Sequence, residues 1–493
     1  MSRRVALLSA VLIVAAGGAP GLAAEPPTAE AAAAALRKAV GFYRDKVGVQ
    51  GGYPWRTSGD LALREGEGIC SPTQVWVQPP GTPAVGEVFL DAYDATGDPA
   101  YLDMARETGK ALVRGQLRSG GWEYSIEFDP EKRLAHGYRD LPAKKKVRAR
   151  STLDDDTTQS AVRFLARLDA ALGRRDPAIH DAARFGLDAI LNAQYPNGGW
   201  YVFWDEYPTQ PPSAEDFPVK KPSLPATWDR TWTKAYPGRY VLNDDLMPDM
   251  LDTLVRAGAV YDDPRCLEAI RRAGDFLVLA QLPDPQPAWA QQYDVAMQPC
   301  WARKFEPPAV TGGESQGVME TLLRIHQITG DPKYLEPIPR AIAYLKKSLL
   351  ADGKLARFYE VNTNKALYFT KDDYQVTYSD ARLPTHYGFK VESRLDRIER
   401  EYERQRQGPH VARGLTAARK PERWTPALAE RAAAAIAAMD GRGAWVTPKG
   451  VLDAHDQTPP SGVIEGEAFL RNARLLAAYV AAARAREAEE RRP

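Results

Sequence analysis

The chain has 493 residues, 44% of them hydrophobic, and a formal net charge of +1. That size and balance suit one large globular domain or two to three ordinary ones. The near-zero charge excludes a whole-molecule basic footprint for nucleic acid or for an anionic membrane surface, so any charge selectivity has to be local.

The N-terminus reads as a targeting segment. Arg3 and Arg4 precede an apolar run from Val5 to about Gly18, and small residues follow as far as Ala24. This is the pattern of a secretory signal at residues 1–24, cleaved near Ala24 to leave 25–493 as a single secreted or periplasmic domain. The run is too short to span a bilayer comfortably, and no later stretch suits a membrane span. The cysteines, Cys70, Cys266 and Cys300, allow at most one disulfide and lack metal-type spacing. Buried small apolar side chains are the plainer reading.

A repeat organises the rest. An Asp-Pro pair opens an amphipathic stretch, and a turn places an aromatic or apolar residue 24 to 26 positions after the Asp. The pairs are Asp98 with Trp122, Asp176 with Trp200, Asp263 with Trp289 and Asp331 with Leu355. Asp before Pro is a helix start: the carboxylate accepts from free N–H groups and Pro pre-sets the first turn. A second helix follows each turn, as at Gln159–Leu172, Leu246–Ala259 and Gln316–Thr329. Units of roughly 70–90 residues exceed solenoid periods of about 20–50. They suit an all-α, (α/α) toroid, with inner-helix starts and Gly-Trp loops at one mouth. Its core is expected over 85–390, with packing helices over 391–493. The best strand signals, Arg357–Val361 and Ala366–Phe369, flank an Asn-Thr-Asn turn and predict a small hairpin. The proline-rich insertion Glu206–Tyr236 is long enough to be functional, a lid over the cleft being one reading.

The chemistry concentrates where inner helices begin. Asp154-Asp155-Asp156 precedes one and Asn243-Asp244-Asp245 the next. One aspartate caps a helix, but adjacent carboxylates repel unless a cation sits among them. A hard cation with oxygen ligands resolves this, and Ca²⁺ suits carboxylates in flexible geometry. At least one carboxylate from each cluster is expected at a shared metal or substrate site. Arg303 lies among Trp301, Phe305 and Glu306, and Glu314 opens the next inner helix, where it is either a cap or a site residue. Arginine suits two-pronged recognition of a carboxylate. Lys371, Arg382 and His386 follow the hairpin and could serve a uronate site or simply face solvent. Trp122, Trp200, Tyr201 and Trp204 invite sugar stacking or, equally, fill the core at repeat junctions. No phosphate-binding Gly loop occurs.

Several of these segments, in order, resemble the family 10 polysaccharide lyases, pectate lyases of α-toroid type. They are Ser151–Thr158, Tyr195–Trp200, Leu242–Met247, Trp289–Tyr293, Gln298-Pro299 with Ala302-Arg303, Gly313–Ser315, and Arg357–Glu360 with Thr363-Asn364. The resemblance covers roughly residues 85–390. It implies an enzyme that cleaves polygalacturonate, or its oligosaccharides, by calcium-assisted β-elimination. By motif order it assigns Arg303 as the base, although arginine is ordinarily always protonated. It assigns Asp154, Asp155, Asp244 and Asp245 to calcium, and Asp154, Asp155, Trp200, Asp245, Glu314, Arg357, Lys371 and Arg382 to the substrate. The chain departs from the pattern at Thr370-Lys371-Asp372-Asp373, where family members often carry an arginine, so that Lys371 or Arg382 would replace it. The expectation is therefore a monomeric, exported lyase with no nucleic-acid partner and no membrane span. A toroid glycoside hydrolase using two carboxylates on uronate-containing glycans, or a carbohydrate-binding protein without a base, are the alternatives.

Overall fold

Each expected Asp-Pro pair starts a helical segment. Asp98, Asp176, Asp263 and Asp331 accept from the backbone N–H of Ala100, Ile179, Arg265 and Lys333 at 3.1, 3.5, 3.1 and 3.0 Å. The computed structural model describes residues 25–144, 146–416 and 422–491, so the expected signal segment lies outside the described residues. The α-helices are α1 (Ala29–Phe42), α2 (Thr82–Thr96), α3 (Pro99–Gly115), α4 (Thr157–Ala171), α5 (Pro177–Asn192), α6 (Leu246–Tyr261), α7 (Pro264–Leu279), α8 (Gly312–Thr329), α9 (Ile338–Lys347), α10 (Leu395–Gln407), α11 (Pro426–Ala437) and α12 (Gly466–Glu490). The fourth Asp-Pro opens a 3₁₀ turn, Pro332–Leu335, and α9 starts afresh beyond Pro337. Pro337 cannot donate a helical hydrogen bond, which breaks the segment there.

The helices pack as hairpins arranged in a ring. α2 packs on α3 and α12, α4 on α5 and α6, α6 on α7 and α8, α8 on α10, and α12 on α1. The fold is the expected (α/α) toroid, with α2, α4, α6, α8 and α12 inside. None of the described helices is long and apolar enough to cross a membrane.

Where a turn carries a tryptophan, that side chain locks the hairpin. The indole N–H groups of Trp122, Trp200, Trp289 and Trp445 donate to the carbonyls of Leu112, Ile190, Leu277 and Ala435, at 2.8–3.0 Å. These acceptors lie near the C-terminal ends of α3, α5, α7 and α11, where helical carbonyls lack partners. The turn itself needs glycine: Gly198 has φ +92°, and a Cβ there would lie 1.9 Å from the Arg272 carbonyl oxygen.

Short strands deliver the inner helices, and of these and their partners the sequence pattern indicated Phe358–Glu360 alone. Ser151–Thr152 pairs with Phe203–Trp204, Tyr240–Val241 with Gln292–Tyr293, and Ala309–Thr311 with Phe358–Glu360. The next backbone N–H in each case, Leu153, Leu242 or Gly312, donates to the carbonyl of Val202, Gln291 or Arg357. The expected hairpin is present as Phe358–Glu360 against Ala366–Phe369, within a four-stranded sheet. Asn362 and Asn364 supply its left-handed turn positions, with φ of 66° and 57°.

The three cysteines are buried and unbridged. Burial pushes the Cys70 and Cys266 thiols up to about 12. Inside the ring the inner helices carry opposed charges. Arg163 pairs with Asp156, and Arg167 reaches Glu87, Asp91 and Asp94. A cavity of about 360 Å³ lies among Glu87, Asp156, Arg163, Asp252, Arg256 and Arg474.

Candidate active site

Two acidic clusters reach the mouth because two strand–helix junctions are built alike. In each, the last two acidic residues before the helix have left-handed backbone: Asp155 and Asp156 at φ 47° and 61°, Asp244 and Asp245 at φ 49° and 55°. Such a conformation is uncommon for residues other than glycine, and Asp and Asn tolerate it best. It sharply re-aims consecutive side chains, so the aspartates of one cluster face different ways.

Carboxylate oxygens of Asp154, Asp155 and Asp244 all lie within 4.8 Å of one another. The three side chains are half-buried and together could hold a metal ion. The donor set is all oxygen and formally trianionic, which fits a hard divalent cation. Around it the Tyr124 hydroxyl donates to Asp154 at 2.7 Å, the Gln78 amide to Asp155 at 2.8 Å, and the Asn243 amide to Asp244 at 2.5 Å. Gln78 and Tyr124 carried no signal in the sequence, since each is one polar residue in an otherwise structural strand or turn. Asp245, expected among the metal ligands, is outside the group; its Oδ1 faces Gly317 of α8. Asp156 is turned into the ring toward Arg163.

Beside these three carboxylates runs a chain of alternating charge. Glu306, only 1% exposed, receives the Arg303 backbone N–H at 3.0 Å, its Nε at 2.7 Å and its Nη2, leaving Nη1 outside the pair. The Tyr387 hydroxyl donates to the same carboxylate at 3.0 Å. Arg357 Nη1 donates to the Tyr387 oxygen at 3.3 Å and to Glu314 at 3.2 Å. The Tyr387 ring lies beneath both guanidiniums, 4.5 Å from that of Arg357 and 5.6 Å from that of Arg303. Asp244, Asp245, Glu314 and Arg357 line an adjoining cavity of about 210 Å³. One Glu314 oxygen is buried there without a hydrogen-bond partner among the described residues.

The protonation states follow from these contacts. Burial alone would lower the Arg303 guanidinium, but the hydrogen bonds and charge of Glu306 outweigh it and hold the group above its usual value. Burial pushes Glu306 up, and Arg303 more than reverses this, leaving an ionised carboxylate. Burial, then the charge of Glu306, raises the Tyr387 phenol well above its ordinary value despite Arg357. Burial, then the nearby cations Lys304 and Arg303, lowers His386, so its ring is neutral near pH 7.

Three expected substrate residues are placed differently. Trp200 is fully buried with its indole in the core, so it offers no face to a sugar. Arg382 is exposed and paired with Asp372 at 2.6 Å. Lys371 is exposed in the turn beyond the hairpin, its backbone N–H on the Arg382 carbonyl. Neither joins the Arg303–Arg357 network by any hydrogen bond among the described residues. The insertion is fastened along the mouth. Tyr207 stacks on Phe185, Trp301 donates to the Asp229 carbonyl, and Trp232 donates to the carbonyl of Ala302, next to Arg303.

Residues 116–354 match the family model described as pectic acid lyase. The chain carries a pectate-lyase-like domain. Both acidic clusters, the insertion, Arg303 and Glu314 fall inside the matched span, while Arg357 and Tyr387 lie beyond it. No curated protein matches the chain. Among solved structures it is similar to a mutant family 10 polysaccharide lyase from Cellvibrio cellulosa, in complex with trigalacturonic acid. That likeness has 18% identity and TM-score 0.43, covering 66% of this chain and 97% of that one. It is also similar to a D-mannose isomerase, at 13% identity and TM-score 0.43, covering 91% and 96%. A third is an α-mannanase from Bacteroides thetaiotaomicron, at 12% identity and TM-score 0.42, covering 93% and 97%. Likenesses at such TM-scores decide nothing about the site.

Proposed function

We propose that the protein is an exported lyase that cleaves polygalacturonate by β-elimination, with Ca²⁺ held by Asp154, Asp155 and Asp244. The observation that carries this reading is the convergence of those three carboxylates beside a pair of arginines, within a pectate-lyase-like domain. Carboxylates alone would repel an anionic polymer. A cation among them reverses the local sign and would acidify the proton on C5 by drawing charge from the substrate carboxylate. Arg357, and Arg303 through Nη1, supply further positive charge for uronate groups. Asp245 and the free oxygen of Glu314 are acceptors for sugar hydroxyls in the adjoining cavity.

Arg303 is the proposed base. At rest Glu306 keeps it protonated, so turnover belongs to the small deprotonated fraction. The same pairing leaves Nη1 outside it, and the charged guanidinium of Arg357 stabilises the enolate-like charge that forms as the proton leaves. The segment ending near Ala24 supports export.

Purified protein mixed with polygalacturonate and Ca²⁺ should raise ultraviolet absorbance as the unsaturated product forms, and EDTA should abolish the rise. Reducing ends without a double bond and without a metal requirement would instead establish a hydrolase. Binding without any product would leave a carbohydrate-binding protein.

A further inference from the structure

β-Elimination needs two proton transfers. The base removes the proton from C5, and the departing O4 must acquire one. Sugar alkoxides are poor leaving groups, so a positioned acid contributes substantially. Neither the acidic cluster nor Arg357 suits that role, because the carboxylates are the proposed cation ligands and a guanidinium ordinarily holds its proton more tightly than a phenol does.

The geometry points to Tyr387 as the acid that protonates O4, joined to Arg303 through Glu306 in one proton circuit. The assignment rests on the lyase reading above and on three features. The hydroxyl donates to Glu306 at 3.0 Å and accepts from Arg357 at 3.3 Å, so at rest its proton lies on the path to Glu306, and rotation of the O–H from Glu306 toward O4 delivers it. Its ring lies under two guanidiniums, which stabilise the tyrosinate left after donation. Glu306 receives both Arg303 and Tyr387, so a continuous hydrogen-bonded path links the two. Burial and Glu306 keep the phenol protonated at working pH, the form an acid needs.

The step balances without a co-reactant. Neutral Arg303 takes the C5 proton. The C–H electron pair becomes the C4–C5 double bond, the C4–O4 bond breaks, and O4 takes the phenolic proton. Arg303 then returns a proton to the tyrosinate across Glu306, and both groups regain their starting state.

Tyr387→Phe keeps the ring and removes only the hydroxyl. It is assayed on polygalacturonate and on a methyl 4-deoxy-4-fluoro-galacturonide, whose fluoride leaves without protonation. Polygalacturonate turnover should fall by about a hundredfold or more, and fluoride release by less than about threefold. Equal losses on both substrates would make Tyr387 a structural residue, and no loss on either would place the acid elsewhere. A wild type that releases no product from either substrate would overturn the lyase reading itself. The wild type also gives a test without a variant: the solvent deuterium isotope effect is expected to be larger on polygalacturonate than on fluoride release, since both share the effect on the ionisation of Arg303. An equal effect on both would overturn the assignment.

Discussion

Asp155 and Asp244 hold the same place in two successive repeats and meet in space. Each is second in its triplet and left-handed, at φ 47° and 49°, and their carboxylates converge with that of Asp154 within 4.8 Å. Junctions built alike at the ends of adjacent short strands aim equivalent side chains at a common point. The site is therefore a product of the repeat, not of one motif.

Metal binding should show in stability. Ca²⁺ at a hundred times its dissociation constant should stabilise the fold by about 2.7 kcal/mol. Asp244→Asn retains a residue type that tolerates the left-handed backbone and removes one ligand charge. Thermal melts with and without Ca²⁺ should give a shift in the wild type that is largely lost in the variant. An undiminished shift in Asp244→Asn would place the ion elsewhere.

The backbone at this site stores strain that can be read separately. At Asp155, alanine and glycine both delete the ligand, but only glycine is at ease at φ 47°. Asp155→Ala should be less stable than Asp155→Gly by about 1–2 kcal/mol in urea unfolding without metal. Equal stabilities would show that the junction relaxes once the carboxylate is gone.

What was legible in the sequence was local. Asp98, Asp176, Asp263 and Asp331 are caps recognisable from the next residue, and the acidic triplets announce themselves by crowding. Trp200 was ambiguous because a glycine turn followed by an aromatic reads alike for a sugar platform and a core lock. Its bond to the Ile190 carbonyl decides between them, and only the fold supplies that partner. Asp245 could not be told from Asp244, since the direction of each side chain depends on a left-handed φ. Glu306 was visible merely as a neighbour of Arg303. Tyr387 reaches both through the sheet and loop that follow Arg357, a long-range contact that no spacing rule predicts.

The charged interior should leave its mark on the pH dependence of stability. Burial, then the charge of Asp156, pushes Asp249 up to about 8, against the pull of Arg163. The folded protein thus holds a proton that the unfolded chain, with Asp near its ordinary value of 3.8, releases. Stability from this group is complete below the unfolded value and is lost as pH rises toward about 8. Asp249→Asn carries no such penalty. Its melting temperature should match the wild type near the low end of that window and exceed it progressively toward the high end. A constant difference across the window would mean that Asp249 ionises as it does in water.

The last prediction concerns the Arg303–Glu306 pair, and its sign follows from which form is active. A base must be deprotonated, and Glu306 holds Arg303 above its already high ordinary value. The active fraction is therefore far below one at every accessible pH and grows tenfold per unit. With saturating Ca²⁺, log kcat/KM should rise with slope one from about pH 7 to about pH 10 without levelling. Glu306→Gln keeps the shape and removes the charge, so Arg303 loses part of its stabilised proton. The rise should then begin to flatten at lower pH, with a smaller maximal rate because the neutral base is weaker. A wild-type profile that levels between about pH 6 and 7 would instead identify an imidazole as the base. His386, neutral near pH 7 and packed edge-on 5.0 Å from the Phe305 ring, would be the first residue to mutate.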